Sequence, residues 1–264
     1  MAKYWMQKAE VLVAGKKFTK DDFEIDFLVN FDDDPEPNIS NVMIYNLSDT
    51  TIALLKKGEN VILNAGYEGD VGTILLGTID KPETTWEGID KVTKLTVGEG
   101  SEKWLTSYVN RSYAPGTTSK AILTDLAGMF GMELGELQLV NNLTYARGRS
   151  VSGMLQSVMR QIVGETGSKF HISQGKILIR PWEAGTQTGF LLKADTGLIE
   201  SPQPFEEENN GKKISGYQVR MLLNHRITVD SILQIQSKTA NGTFRVRKGS
   251  HSGADFITEV EVVV

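Results

Sequence analysis

Apolar residues recur at every second position near both ends of this chain, and at helical spacing only in its middle. The segment Phe23–Val29 alternates strictly, as a strand with one buried face requires. The segment Thr117–Gly131 instead spaces its apolar residues three and four apart, which places them on one face of a helix. A helix would spread apolar residues of period two over several of its faces, so it could not bury them together. The sequence therefore predicts an α+β protein, mainly β, with a helical insert between two β regions.

The strand pattern continues through the first hundred residues and returns after Gly189. Asp32–Pro37 and the polar stretch Pro202–Gly211 are predicted as loops, Asn241-Gly242 as a hairpin turn, and Ser48–Lys57 as a short helix capped by Ser48 or Asp49. The remaining predicted strands are Trp5–Ala14, Val42–Tyr45, Asn60–Ala65, Thr73–Ile79, Lys91–Val97, Ile214–Leu223, Ser231–Ser237, Thr243–Lys248 and Phe256–Val263.

The middle of the chain is predicted to be a small α+β domain. Its first helix is capped by Thr117 or Thr118 and ends at Gly131, and its second starts at Ser150 and stops near Gly164. A hairpin turning at Gln174-Gly175 follows, with strands Lys169–Ser173 and Lys176–Arg180. The predicted domains are 1–105, 106–188 and 189–264, the first and third being similar antiparallel β domains.

The two β regions share the order of their elements. Val42–Asn46 matches Arg220–Asn224, a strand that ends at an asparagine, and Val61–Leu63 matches Ile232–Ile235. Gly72 then aligns with Gly242 at the start of a strand, and Val92–Val97 aligns with Ile257–Val262. This order predicts an internal duplication, so that three chains would present six similar domains and could join a threefold object to a sixfold one.

Charge and cysteine content exclude several functions. The net charge of −5 argues against sequence-nonspecific nucleic-acid binding, which requires a basic face. Without cysteine the chain has neither disulfides nor thiolate metal sites, which fits folding in a reducing cytoplasm. Met1–Glu10 has no apolar run like that of a signal peptide, and no window is long and apolar enough to insert into a membrane.

Residues that carry chemistry do not form a recognisable motif. His171, His225 and His251 have no second ligand at helical or hairpin spacing; His171 is expected in a strand and His251 in a loop. The glycine-rich segment Gly66–Gly72 lacks the Lys-Ser/Thr of a phosphate loop and is predicted as a hairpin turn. We therefore predict no catalytic, cofactor-binding or metal-binding residues and no enzymatic activity.

Three other groups of residues were considered as sites. Arg147-Gly148-Arg149 is predicted either to hold an anion at the start of the second helix or to be a solvated loop. The acidic runs Asp32–Asp34 and Glu206–Glu208 place their side chains in diverging directions, unlike the paired carboxylates of a glycosidase. The tryptophans follow no repeat and are expected to be core or interface anchors: Trp5, Trp86, Trp104 and Trp182.

Four stretches of the C-terminal region have a recognisable pattern of strands and turns: Gly197–Pro202, Val229–Ser237, Asn241–Val246 and His251–Glu259. In these stretches the chain resembles phage tail and baseplate hub proteins, of the late-control-D type and the T4 baseplate-hub type. The order of a β domain, an α+β insert at Thr117–Arg180 and a second β domain is similar as well. The resemblance covers nearly the whole chain and rests on strand and turn patterns.

The resemblance implies a structural hub in the virion tail, assembled in the host cytoplasm. Two tail-tube-like barrels per chain would form a trimeric ring with pseudo-sixfold symmetry between the tail tube and a spike or tail-tip protein. A tape-measure protein is a further implied partner, and DNA would pass through the lumen without specific binding. The alternatives are a distal tail protein, a secretion-system spike base, and a carbohydrate-binding or cell-wall-lytic module.

Overall fold

The computed structural model describes residues 4–99, 104, 106–209 and 212–263. Strands make up 56% and helices 13% of the structure, which confirms a mainly β protein of the α+β class. The larger of two compact units comprises Met1–Asp32, Ile39–Gly98 and Gly185–Val264, and the smaller comprises Asp33–Asn38 and Glu99–Ala184. The division at residues 105 and 188 into three domains stays a prediction.

Twenty described strands and three α-helices follow one another along the chain. The first part contains β1 (Gln7–Val13), β2 (Lys16–Thr19), β3 (Ile25–Asp32), β4 (Ile39–Tyr45), α1 (Asp49–Ile52), β5 (Asn60–Tyr67), β6 (Asp70–Glu87) and β7 (Asp90–Gly98). The middle contains β8 (Tyr108–Tyr113), β9 (Thr117–Thr118), α2 (Ser119–Phe130), β10 (Glu133–Leu137), β11 (Thr144–Tyr145), β12 (Arg149–Met154), α3 (Leu155–Glu165), β13 (Lys169–Ser173) and β14 (Lys176–Arg180). The last part contains β15 (Thr186–Leu192), a 3-10 turn (Ala194–Thr196), β16 (Gln203–Asn209), β17 (Lys212–Leu222), β18 (Ser231–Gln236), β19 (Asn241–Ser252) and β20 (Ile257–Val263).

Thirteen strands of the larger unit pair into one sheet. The order along it is β16-β17-β20-β19-β3-β4-β7-β6-β5-β1-β2, and β18 joins β19 while β15 joins β18. The bond between β19 and β3 links the two β regions into a continuous surface. The described pairings do not close a barrel, so the barrel form of the two β domains stays a prediction.

The strand order is the same in the two β regions. In the first region β4, β7, β6 and β5 are neighbours in that order, and all pairs are antiparallel. In the second region β17, β20, β19 and β18 follow the same antiparallel order. The four strands that the sequence matched therefore occupy matching places in the sheet.

The register agrees as closely as the order. β6 shifts register against β7 between Ile79 and Lys81, and β19 shifts against β20 between Val246 and Lys248. A β-bulge adds one residue to one strand and bends it locally. Counting from these bulges, residues 78–85 of β6 correspond to residues 245–252 of β19.

Burial repeats along the last strand of each region. Val92–Val97 and Ile257–Val262 alternate between buried and solvent-facing residues in the same sequence. This confirms the sequence alignment of these two strands. The register equates Gly242 with Leu75 rather than with Gly72, so that part of the alignment was displaced by three residues, because a Gly-Thr pair lies near the start of both strands. It also equates Asn46 with Leu223 rather than with Asn224, so the match of Val42–Asn46 with Arg220–Asn224 was displaced by one residue.

Alternation builds the core of the larger unit. In β3 the residues Ile25, Phe27, Val29 and Phe31 are buried on one face, as the period-two pattern predicted. Each fully buried side chain of this size contributes about 1.5–3 kcal/mol relative to an exposed one. The loop residue Phe256 is fully buried and meets the rings of Phe27 and Tyr67 edge-on.

Helices α2 and α3 pack on a three-stranded sheet in the smaller unit. The Thr118 hydroxyl caps α2 by accepting a bond from the Ala121 N–H at 3.3 Å, and Gly131 ends it in the left-handed region, with a φ of 67°. Trp104 stacks on Phe130 with their ring centroids 4.4 Å apart. The strands β10, β14 and β13 form the sheet. The predicted cap, the predicted stop and the Gln174-Gly175 hairpin are confirmed.

Several predicted elements differ from the structure. Asn241 and Gly242, predicted as a hairpin turn, lie in β19 and pair with Gln236 and Ile235, because the connection from β18 turns earlier, at residues 237–240. Helix α1 ends at Ile52 rather than at Lys57, although Ser48 caps it as expected. Helix α3 starts at Leu155 and not at Ser150, because residues 149–154 form strand β12 against β8. The acidic stretch that was predicted as a loop forms strand β16, because its seven residues pair one by one with β17.

Candidate functional site

One face of the large sheet is polar and open to solvent. It is formed by the residues that alternate with the core-facing residues along seven strands: β6, β7, β4, β3, β19, β20 and β17. We call this surface the polar face. Its charged residues include the carboxylates Asp26, Asp32, Glu83, Glu259 and Glu261 and the cations Lys81, Lys94, Lys248 and Arg220.

The cations of the polar face lie against its carboxylates. Arg220 Nε donates to Glu259 Oε1 at 2.6 Å, and the Lys248 ammonium lies 3.2 Å from a Glu261 oxygen. The Lys81 ammonium lies 2.7 Å from Glu83. These three cations lie beside carboxylates, and Lys94 stands opposite Glu83 in the register of β6 and β7. The face therefore offers little to a phosphate backbone.

An open groove of about 580 Å³ crosses this face where β3, β19, β20 and β17 lie side by side. Asp32, Lys248, Arg220 and Glu259 are among its lining residues. Its polar lining and open shape do not resemble the enclosed, largely apolar pocket that small ligands favour.

Four stretches of the sheet leave a backbone edge unpaired among the described strands. β16 pairs only with β17, β2 only with β1, and β15 only with β18. In β6 the residues up to Thr78 pair with β5, so the segment Lys81–Glu87 is paired with β7 alone. Unpaired edges are assembly surfaces unless they are covered or blunted.

Two of the strands predicted from alternation differ in what their edges do. Phe23–Val29 largely coincides with β3, which does join the two β regions through its bond to β19. Phe256–Val263 cannot serve as an edge, because β20 is paired on both sides, with β17 and with β19. Its alternation reflects burial of one face of an interior strand.

Asp70 connects the two β regions at a second point. Both oxygens of its carboxylate accept hydrogen bonds from the Arg226 guanidinium, at 2.5 and 2.7 Å, and His225 Nε2 lies 3.0 Å away. The Arg226 guanidinium is the main cause that lowers the Asp70 pKa to about 2. A Cβ on Gly72 would meet His225 Nδ1 at 2.1 Å, so only glycine fits beside this ring. The predicted turn at Gly66–Gly72 is confirmed as the hairpin between β5 and β6.

His251 lies in β19 and not in the predicted loop. It is 2% exposed, its Nδ1 lies 2.8 Å from Thr258 Oγ1, and its ring packs against Phe31. Burial is the main cause that lowers its pKa to about 4, and the neighbouring His225 acts in the same direction. A neutral, buried ring cannot reach a substrate. His171 is buried in β13, the strand that the sequence predicted.

The two acidic runs face separate cations. Asp33 lies 3.1 Å from the buried Lys169 ammonium, and Glu36 bonds to Arg160. In β16, Glu207 accepts a bond from Arg247 at 2.8 Å. The runs therefore hold structure together and do not form an acid pair.

The predicted anion site at Arg147–Arg149 does not stand before a helix. Arg149 begins strand β12, and its guanidinium bonds to Glu165 and lies over the Tyr145 ring. Trp104 is a core anchor, as one reading of the tryptophans expected. Trp5, Trp86 and Trp182 are more than half exposed.

Metal-binding and membrane-spanning features are not found in the part of the chain that the structure describes. No group of three or more His, Cys, Asp or Glu residues there is placed to hold a metal ion. No described helix has the length and apolarity needed to cross a bilayer.

No protein-family model and no curated protein sequence matches this chain. Solved structures do match, and over almost the full length. A 43 kDa tail protein of prophage MuSo2 from Shewanella oneidensis aligns with a TM-score of 0.72 and 8% identity, covering 98% of each chain. A tail protein from Neisseria meningitidis MC58 aligns with a TM-score of 0.71 and 10% identity, covering 98% of this chain and 97% of its own.

A third structure extends the comparison to a secretion machine. The protein is described as an E. coli component of the type VI secretion system with structural similarity to T4 bacteriophage tail proteins. It aligns with a TM-score of 0.65 and 10% identity, covering 96% of this chain and 76% of its own. At these identities the comparisons show the fold: this chain has the fold of these phage tail proteins and of this secretion-system component. The resemblance stated from the sequence is thereby supported at the level of fold.

Proposed function

We propose that this chain is the structural hub of a phage tail, of which three copies form a ring on the tail axis. Each chain would contribute two tube-like β domains, so that the ring presents six similar surfaces to the sixfold tail tube and threefold symmetry to a spike or tip protein. The observation that carries this proposal is the repeated strand order with a bulge at the same place in β6 and β19. A monomer gains little from such a repeat.

The names of the matching structures support the same setting. Two are tail proteins and one is a component of an injection machine, so a structural part of the virion tail, assembled in the host cytoplasm, fits better than an enzyme. The tail tube protein, the spike or tip protein and a tape-measure protein would be its partners.

The polar face would line the conduit for DNA. Its cations are held by carboxylates, as between Arg220 and Glu259, and a wall of this kind does not retain phosphates. The double variant Glu259→Lys/Glu261→Lys should convert the wall into a basic one. We expect it to be retained on immobilised double-stranded DNA at low salt and released as salt rises, whereas the unmodified chain flows through. Equal retention of both chains would contradict the lining role.

Stoichiometry tests the ring itself. Native mass spectrometry of the full chain, alone and with its tube protein, should give a species of three chains. A ring of six copies would favour a distal tail protein instead. Binding to polysaccharide with no ring would favour the carbohydrate-binding alternative.

A further inference from the structure

The strand pairing that joins the two β regions within one chain provides a pattern for strand pairing between chains. In β19 the residues Lys248–Ser252 pair antiparallel with Leu28–Asp32 of β3, and Lys248 stands opposite Asp32. The Gly253 N–H extends this ladder by donating to the Phe27 carbonyl at 2.8 Å. The outer edge of the long strand β19 in the second region is thereby covered by β3 of the first region.

The corresponding edge of the first region is uncovered. By the register of the two bulges, Lys81–Thr85 in β6 corresponds to Lys248–Ser252 in β19. Thr84 is exposed, whereas its counterpart His251 is buried against β3. This part of β6 thus occupies the same place in its region as the paired part of β19 does in the other region. No described strand covers the outer edge of β6 there, whereas β3 covers that of β19.

The strand that would cover this edge is also present and unused. β16 precedes and pairs with β17 in the second region, as β3 precedes and pairs with β4 in the first. Its outer edge has no partner among the described strands. β16 lies at one end of the sheet order and β6 lies inside it, and no described pairing joins the two edges within one chain. Neighbouring copies in a closed ring can bring the two edges together.

We infer that Lys81–Thr85 of one copy pairs antiparallel with Gln203–Glu207 of the next copy. This inference rests on the proposed ring and specifies the contact that closes it. Transferring the register of the internal junction places Lys81 opposite Glu207, as Lys248 stands opposite Asp32. Opposite charges facing each other across an antiparallel pair favour that register.

Prolines limit nonspecific pairing of these two edges. Pro82 and Pro204 lie within the two open segments and have no N–H to donate, and strands tolerate proline at their outer edges. The junction between copies consequently has fewer backbone hydrogen bonds than the internal one. Its register then depends more on side chains and on the symmetry of the ring.

Because the chain has no cysteine, engineered disulfides can read the register directly. The transferred register pairs Thr85 with Gln203, and residues opposite each other on antiparallel strands have Cα atoms within disulfide distance. The full chain carrying Thr85→Cys/Gln203→Cys is oxidised at assembly concentration and in assembled particles, then analysed on non-reducing gels. Leu28→Cys/Ser252→Cys is the matched control, since it places the same pair at the internal junction. Thr85→Cys/Glu207→Cys is displaced by four residues, about 13 Å along the strand.

The inference predicts covalent dimers and trimers for Thr85→Cys/Gln203→Cys and none for the displaced pair. The internal control should lose its free thiols while it keeps the mass of one chain. Native trimers without this cross-link would overturn the junction and leave the ring standing. Covalent ladders up to six chains would support the junction and overturn the trimer. A chain that stays monomeric, alone and in particles, would refute both.

Discussion

The buried His251 makes the stability of this protein depend on pH. Its pKa falls from 6.5 to about 4 on folding, mainly because burial disfavours the charged ring. The unfolded chain therefore binds more protons than the folded one between these values, so stability is complete above pH 6.5 and declines as the pH falls. For a pKa of about 4 against 6.5, the loss between pH 7 and pH 5 is about 2 kcal/mol from this residue alone.

The variant His251→Gln separates this effect from other titrations. A glutamine amide can still bond to the Thr258 hydroxyl, which lies 2.8 Å from the histidine nitrogen, but it does not titrate. Urea unfolding of both proteins at pH 7, 6 and 5 should show the wild type losing about 2 kcal/mol more than the variant. Parallel pH profiles for the two proteins would show that the ring takes up its proton without unfolding, and would refute this account of its burial.

Four further substitutions test the packing, the backbone geometry and one ion pair. Trp104→Ala should destabilise the smaller unit by about 3–5 kcal/mol, measured by chemical unfolding, because the ring is fully buried. Gly66→Ala should cost clearly more than Gly69→Ala in thermal unfolding, since its Cβ would lie 2.1 Å from the Asp70 carbonyl oxygen while Gly69 has open space; Gly69→Ala should cost about 1 kcal/mol for its positive φ. Asp70→Asn should cost under about 1 kcal/mol at pH 7, because its pair with Arg226 is partly exposed. Its contribution should fade as the pH drops from 3.8 towards 2, where the carboxylate is protonated.

Periodicity was enough to predict the interior of both β regions and the helices. Phe27 and Val29 are buried because alternate residues of a strand share one face, and in β3 that face is turned to the core. Thr118 and Gly131 mark the ends of α2, because the Thr118 hydroxyl caps the first turn and Gly131 adopts a left-handed backbone conformation. The repeat was visible in the sequence because burial imposes the same pattern on Val92–Val97 and Ile257–Val262.

Elements that depend on distant partners were missed. Arg149–Met154 is polar and follows a loop, so it gave no strand signal, yet it pairs with β8 along its whole length. β16 contains two features that argue against a strand, a proline and three adjacent glutamates, and it forms because β17 lies beside it. His251 was placed in a loop because the glycines at 249 and 253 resemble turn residues; both lie where neighbouring strands leave no room for a Cβ.

The polar face was not visible in any motif. It collects charges from strands that are far apart in sequence, and the sequence carries no sign that Arg220 lies beside Glu259. Only the strand order shows which residues share the face.

The number of copies at the tail axis tests the central claim most directly. An electron cryo-microscopy reconstruction of the assembled particle should show three copies of this chain in one ring on the axis. The account also predicts that the polar face turns towards the lumen and that β16 of each copy lies along β6 of the next. Six copies in the ring, or a position away from the axis, would contradict the hub assignment.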